Sequence, residues 1–514
     1  MKKLIIISTV FFCLFFNSKV WAQSEAGFEY ANDALNFSIF EPFGSTRIQS
    51  LGGANTALGG DISNAAGNPA GLGFFNKSEF SVTPTISFNT SKSTFLGSNT
   101  QDLLGNFNIN NLGFVFSKAK DPVVPGKWRG GTFAITYNTT HNYNTRFKYS
   151  GVNDTTSLSD AFVESANGVP YNVLEQEANP DGQYFTWEAL AFSTALIDTI
   201  WEGPDDEYFS YNELENVRQG ETVRTRGAKS QWNFAYGGNY NDRVYFGATL
   251  GLASIRHIRE KIYQETVLTD NDGYDDLTDF TVNETLTTKG SGINAGAGVI
   301  LRATDYFRIG ASVQTPTYFY SVQSNYDGSM VTNFNENPYN FQTGDGELET
   351  TSNNYKFVTP WKLSGGVAFF FNKNGFISAD ADYITYSKIK LYSSDNELSF
   401  NDVNDEIKVA YRSAVNFRVG GEYRVSAFRF RAGYSMYQSG LEKQNNSDID
   451  INPTHHASIG AGMRWDKVYL DFGLTKTFSK NFNYYPYLLS DFTEPEAKVT
   501  SGRTKAMVSL GFFF

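Results

Sequence analysis

The chain has 514 residues, a formal net charge of -12 and 16% aromatic residues, with 46 glycines but only 14 prolines and 5 methionines. The length allows two or three ordinary domains or one large barrel, and the acidic balance argues against nucleic acid as a partner. A mean hydropathy of -0.36 suits a soluble protein, but it suits a membrane-spanning barrel equally well, because barrel strands alternate lipid-facing apolar residues with polar lumen residues.

At the N-terminus, Lys2 and Lys3 precede an apolar run over 4–16 and the small-residue site Val20-Trp21-Ala22. Residues 1–22 therefore read as a secretory signal, with Gln23 as the mature start. The single cysteine, Cys13, lies inside this segment, too early to be a lipoprotein acceptor. The exported protein is thus expected to be held together without disulfides. No other stretch has the roughly 18 consecutive apolar residues of a spanning helix.

Residues 23–76 show no sustained alternation and are rich in Gly, Ala, Ser and Asn. They contain Leu51-Gly52-Gly53-Ala54 and, between Asp61 and Leu72, the string Asn68-Pro69-Ala70. Pro69 fixes its own φ and holds Asn68 extended, and the Asn68 side chain can bond nearby backbone to pin the corner.

From Ser78 onward a period of two dominates. Val244, Phe246, Ala248, Leu250 and Leu252 share one face, with Gly247, Thr249 and Gly251 on the other. Ile293 to Leu301, Trp361 to Phe371 and Val468 to Leu474 repeat the pattern, which is what a strand between lipid and water requires. About fourteen such segments are expected, an even number as bacterial barrels have. Tight turns at 241–243, 304–306, 372–374, 424–426 and 465–467 alternate with long polar loops at 148–228, 262–285, 321–354, 388–408, 438–455 and 479–499. Short turns on the periplasmic side and long loops outside are the rule for such barrels. The fold class predicted is all-β: a transmembrane antiparallel barrel over 77–514, with residues 23–76 as a hatch in the lumen.

Within the longest loop, 157–166 and 184–200 are predicted to be helices, the second with Trp187, Leu190, Ala191, Ala195 and Leu196 near helical spacing. The strand register puts Arg308, Asp380, Asp382, Arg418, Glu422, Arg429, Arg431, Arg464 and Asp471 on the lumen face near the tight turns. They are expected to form an ion-pair network that fixes the hatch through Arg47 and Asp61; the bland alternative is that they satisfy one another. The final strand alternates Ala506, Val508, Leu510, Phe512 and Phe514, so the chain ends on an outward phenylalanine.

His141, His257, His455 and His456 lack metal-ligand spacing, and the acidic run Asp270, Asp272, Asp275, Asp276 and Asp279 departs from the EF-hand order, with its glycine at 273. No catalytic residue, metal site or cofactor is expected.

A signal, a small-residue segment closed by Asn68-Pro69-Ala70 just before the first strand, about fourteen strands and the terminal Phe514 together resemble the FadL/TodX family of outer-membrane transporters for long-chain fatty acids and aromatic hydrocarbons. The resemblance implies that Asn68, Pro69 and Ala70 matter for plugging and transport. It also implies gated passive uptake of a hydrophobic compound, captured at the loops and released sideways into the bilayer. On that reading Trp187, Leu190 and Leu196 would line a landing groove, and Gly130 and Gly131 would allow the opening in the wall. Phe514 resembles the signal read by the outer-membrane assembly machinery. The expected setting is the outer membrane of a diderm bacterium, as a monomer among lipid and lipopolysaccharide. Two other roles are compatible with such a chain: a structural or shuttle component of a protein secretion or surface-attachment system, and a general diffusion porin, against which the hatch argues.

Overall fold

The computed structural model describes residues 24–121, 123–200, 206–210, 216–268, 277–335, 343–394, 399–442 and 452–514. The expected signal, residues 1–22, and Asp270, Asp272, Asp275 and Asp276 lie outside the described residues.

Strand segments join edge to edge into a closed antiparallel barrel of fourteen staves. In chain order they are β1 (Glu79–Phe95), β2 (Ser98–Ala119), β3 (Trp128–Asn142, continued by Thr145–Asn153), β4 (Val217–Tyr240), β5 (Val244–Val267), β6 (Leu277–Arg302) and β7 (Phe307–Gln314 and Tyr318–Phe334). There follow β8 (Thr351–Val358 and Lys362–Phe371), β9 (Gly375–Thr385 and Lys390–Ser393), β10 (Ser413–Val425), β11 (Phe428–Tyr437), β12 (Thr454–Arg464), β13 (Val468–Tyr484) and β14 (Ala497–Phe513). The ring closes where β14 pairs with β1, from Phe513 opposite Glu79 to Ala497 opposite Phe95. No edge is left at the seam to recruit another chain.

The period-two pattern sorts side chains inside-out relative to a soluble protein. On β1, Ser81, Thr83, Thr85 and Ser87 point inward and are buried, while Ile86 and Phe88 face outward and are exposed. Phe246, Leu250, Leu252, Leu363, Phe369, Phe472 and Leu474 likewise stand on the outer face. The turn at 241–243 is tight because Asn241 and Asp242 both adopt left-handed backbone (φ 58° and 55°), which short polar side chains tolerate and which matches the strand twist.

Several loops are shorter than the pattern suggests. β4, β5 and β6 run for 24, 24 and 26 residues, although about 9–11 suffice to cross a bilayer. Their upper parts, such as Arg224-Thr225 beside Arg259-Glu260, rise above the apolar band. There both faces are polar, so alternation vanishes while the ladder continues.

Residues 24–76 pack within the ring. Helix α1 (Ser24–Ser38) occupies the loop end of the lumen, α2 (Thr46–Ser50) lies against β11 to β14, and the 3-10 turns Ile62–Ala65 and Pro69–Phe74 lie against β2 to β6. The barrel wall makes room through glycines. A Cβ at Gly237 would stand 2.7 Å from Leu72 Cβ and Pro69 O, and one at Gly298, Gly310, Gly420 or Gly433 would collide with Asn68, Thr56 or Leu51.

Candidate functional site

Each corner of the 24–76 segment is capped by a polar side chain that also reaches outside its own turn. Ser45 caps α2, and its Oγ donates to both carboxylate oxygens of Asp61, at 3.0 and 2.9 Å. Asp61 in turn accepts from the Ser63 amide at 3.0 Å. Asn68 Oδ1 accepts from the Ala70 amide at 3.1 Å, and Nδ2 donates to Thr56 O at 2.7 Å and reaches Val299 O and Ala311 O on the wall, both at 3.3 Å. Pro69 sits at the first position of its turn, where the missing N–H is no loss. Ala70 is fully buried against Tyr245 and Ile300. One carboxamide thus ties two turns of the segment to two staves.

Buried charges tie it further. Asp380 Oδ2 accepts from the amides of Asn55 and Thr56 and from Thr56 Oγ1, each at 2.8 Å. Arg418 stands between Asp380 (3.5 Å) and Asp382 (2.7 Å), and Lys362 lies 3.8 Å from Asp382. Arg47 bridges Asp61 at 3.6 Å and Glu422 at 3.5 Å. Glu422 also holds Arg424 and Arg431, each at 2.7 Å, and Arg431 reaches Asp471 at 2.6 Å. Lys362 and Arg424 were not anticipated, although both occupy lumen-side positions next to predicted members.

Three anticipated members join no ion pair in this network among the described residues. Arg308 donates to Leu58 O at 2.7 Å, its guanidinium held 4.4 and 4.2 Å from the Phe74 and Phe370 rings. It grips the segment through a carbonyl and two π faces. Arg429 folds back onto Ser426 O and Phe428 O at 2.7 and 2.8 Å. Arg464 lies over Tyr469 and Phe513. Arg429 stands directly opposite Arg424, and it is Arg424 that takes Glu422; Arg464 turns onto rings at the turn rim instead.

Above this layer lies an apolar chamber that the sequence did not announce. Ala31, Ala34 and Phe37 of α1 pack among Tyr143, Phe319, Phe357, Tyr355, Ile384 and Leu391, and under a loop helix, α6 (Asn401–Ala410), through Phe400, Val403 and Ile407. Lys229 Nζ donates to Phe37 O and Ile39 O at 2.8 and 2.9 Å, below the helix. Beside it Glu41 meets His141 at 3.4 Å, Arg503 at 3.5 Å and Lys505 at 3.4 Å. Arg503 and Lys505 could have been found, since they alternate with the outward Ala506 and Val508. Glu41 carried no signal. Between the segment and the wall, near Glu41, Asn68, Lys362 and Arg418, a cavity of about 30 Å³ remains, room for a water molecule rather than a passage.

The strand ladder of the wall breaks elsewhere than expected, and side chains span the break: Arg146 holds Asp102 at 2.6 Å and Asn142 Nδ2 donates to Asn106 Oδ1 at 3.1 Å. Gly130 and Gly131 pair with Ala119 and Lys118 on one side and, just past a bulge at Trp128/Gly130, with Asn239 and Gly238 on the other. The expectation of an opening there is corrected. The β2–β3 ladder stops at Asn111 opposite Asn138. Above it, 98–110 of β2 pair only with β1, and Thr145–Asn153 of β3 pair only with β4. The cause is a register shift at Thr139/His141, after which Tyr149 turns inward onto Phe95 (ring centroids 4.4 Å apart). A glycine pair suggested flexibility, whereas the break lies next to the bulge at Thr139/His141, further up the same strand.

The long loop folds as α3 (Leu158–Ala166), α4 (Tyr171–Gln176) and α5 (Trp187–Ser193). The second predicted helix is shorter than 184–200, because Ile197–Thr199 forms a small hairpin with Tyr208–Ser210. Leu190 and Leu196 have no exposed surface and pack with Phe280, Val282 and Met330. Trp187 stacks on Phe162 and donates to Tyr326 Oη at 3.1 Å. These three residues close a loop core and do not line an open groove, since helices outside the membrane bury their apolar faces on the nearest strands.

The amide of Phe514 donates to Ser78 O at 3.0 Å, and its ring is exposed on the outer face near Phe116. His455 points outward to Tyr434 Oη, and His456 inward to Thr477 Oγ1. Among the described residues no group of His, Cys, Asp and Glu is arranged to hold a metal ion.

A family model described as outer membrane protein transport protein (OMPP1/FadL/TodX) matches residues 233–485. A crystal structure of a Pseudomonas aeruginosa FadL homologue is similar over 92% of this chain and 99% of its own, at 12% identity and a TM-score of 0.56. The Pseudomonas putida toluene transporter TodX is similar over 93% of this chain and 100% of its own, at 12% identity and a TM-score of 0.50. At such identity the likeness concerns the fold. Among curated proteins none matches the sequence.

Proposed function

Because a FadL/TodX family model matches residues 233–485 and the barrel is similar to solved structures of that family, we propose that this chain is a member and that it admits hydrophobic small molecules of the long-chain fatty acid type by gated passive diffusion. The observation that carries this reading is the break in the β2–β3 ladder above Asn111, beside an apolar chamber in which α1 sits. A polar pore would need neither feature. A greasy solute needs an apolar resting place and a side exit, because the bilayer interior is its favoured destination.

On this reading the segment 24–76 is the hatch. Asn68 and Asp380 hold its lower half to the wall, and Lys229 and the Glu41 cluster hold its upper half. Transport requires α1 to yield its place among Phe319, Phe357 and Ile384. The lower contacts are many and charged, while those of α1 above Phe37 are mainly apolar. Motion is therefore expected in α1 rather than in the lower layer.

Uptake of radiolabelled oleate and of toluene, by cells whose only such transporter is this chain, tests the proposal. Oleate entry several-fold above empty-vector cells is expected, with a fall in Asn68→Ala. A well-assembled barrel that carries neither compound refutes the reading. Toluene entry alone refutes its fatty acid part.

A further inference from the structure

Four serines stand abreast on the outer wall. Ser230, Ser254, Ser291 and Ser321 occupy directly paired positions on β4, β5, β6 and β7. The last three are exposed and Ser230 is half-buried, with its Oγ 2.9 Å from Ser254 Oγ. One step nearer the turns, the same outward rows carry exposed Trp232, Leu252, Ile293 and Tyr318, an apolar edge of the kind that marks a membrane interface. One step nearer the loops, Arg256 pairs directly with Lys289, and Lys289 with Gln323, all exposed.

Two cations facing each other across a ladder repel. The neighbouring Arg226 is answered by Glu260, but among the described residues no carboxylate forms an ion pair with Arg256 or Lys289. The surface here is concave. A trough of about 870 Å³ is lined by the serines, Arg256, Lys289 and Gln323, and it ends at Phe107 on the part of β2 that pairs only with β1. From Leu252 to Arg256 is four residues, about 13 Å along a strand, which puts the cations within the headgroup layer if Leu252 marks the edge of the hydrocarbon. The long loops lie on this side, so the layer is that of the outer leaflet.

We propose that this trough binds a phosphate-bearing lipid of the outer leaflet. Its phosphate lies between Arg256 and Lys289, the serine row hydrogen-bonds the sugar or ester oxygens beneath, and the acyl chains run down Leu252, Ile293 and Tyr318. Hydroxyls on a lipid-facing wall are costly unless satisfied, and a headgroup supplies both the acceptors they need and the anion the cations lack. The cations and serines face outward, while the trough also reaches Asn106, Asn142 and Asn144 at the break in the β2–β3 ladder, so the oleate arm below separates a lipid from the solute proposed above.

The test is native mass spectrometry of the full chain in non-ionic detergent, titrated with diphosphoryl lipid A, the same lipid stripped of both phosphates, and oleate. Wild type is expected to retain one diphosphoryl lipid. Arg256→Gln with Lys289→Gln should weaken retention about 30-fold, two surface cations each contributing about 1 kcal/mol. Ser254→Trp, which fills the trough without changing charge, should also abolish retention, and Lys373→Gln in a turn should leave it intact. Folding of each variant is read from its heat-modifiable migration on gels. Equal retention by the double variant, equal retention of the stripped lipid, or displacement of the lipid by equimolar oleate overturns the proposal. The last result would assign the cations to a carboxylate solute instead.

Discussion

Replacing Asp380 by alanine separates attachment of the hatch from integrity of the barrel. Its Oδ2 takes the two backbone amides of Asn55 and Thr56 at 2.8 Å each. Hydrogen bonds to a charged acceptor contribute about 1.5–3 kcal/mol apiece, so opening of this corner becomes easier by about 3–6 kcal/mol before solvation. Water entering the shortened site recovers part of that. If half is recovered, amide exchange at residues 55 and 56 accelerates about 10- to 100-fold, at 1.4 kcal/mol per decade. The β8–β9–β10 ladders through Gly366, Asp380 and Arg418 are main-chain bonds and stay, and Arg418 keeps Asp382 at 2.7 Å. Hydrogen exchange of peptides spanning 51–60, with peptides from β13 as internal control, measures the effect. Asp380→Asn, which retains one acceptor oxygen, should fall between. Unchanged protection in a folded barrel, or equal loss of protection in β13, would refute the idea that this carboxylate holds the hatch locally.

Arg431→Met should leave Glu422 and Asp471 buried with one cation fewer between them; breaking such a pair costs about 3–5 kcal/mol, so the folded fraction on unheated gels should drop sharply, and a normal fraction would contradict it. Gly298→Val should drive a side chain into the Asn68 carboxamide and raise ion conductance in planar bilayers by unseating the hatch, whereas silent, well-folded channels would count against close wall-to-hatch packing. Ser157→Ala removes the cap of α3 and a donor to Glu265; about 1 kcal/mol of loop stability is at stake, read as faster proteolysis within 157–166, with an unaltered cleavage rate as the contrary result.

The barrel was legible because membrane and water impose a period of two on every stave, and side-chain polarity records it directly. The same register placed Asp380, Asp382, Arg418, Glu422, Arg431 and Asp471 on the lumen side. It could not say which of them meet: Arg424 and Arg429 stand opposite each other with the same facing, yet only Arg424 takes Glu422. Asn68-Pro69-Ala70 marked a corner, but the partners of that corner, Thr56, Val299 and Ala311, come from distant positions in the chain. Helix α1 was invisible because its surroundings, not its own pattern, supply its apolar cover. The break in the wall ladder was misplaced for a related reason: a glycine pair is local, whereas a ladder breaks only where two strands cease to match. Sequence alone determined which way each side chain faces, because facing follows from position along one strand. Tertiary structure decided who meets whom, because height in the barrel and the inward turn of β3 depend on the stagger of all fourteen staves together.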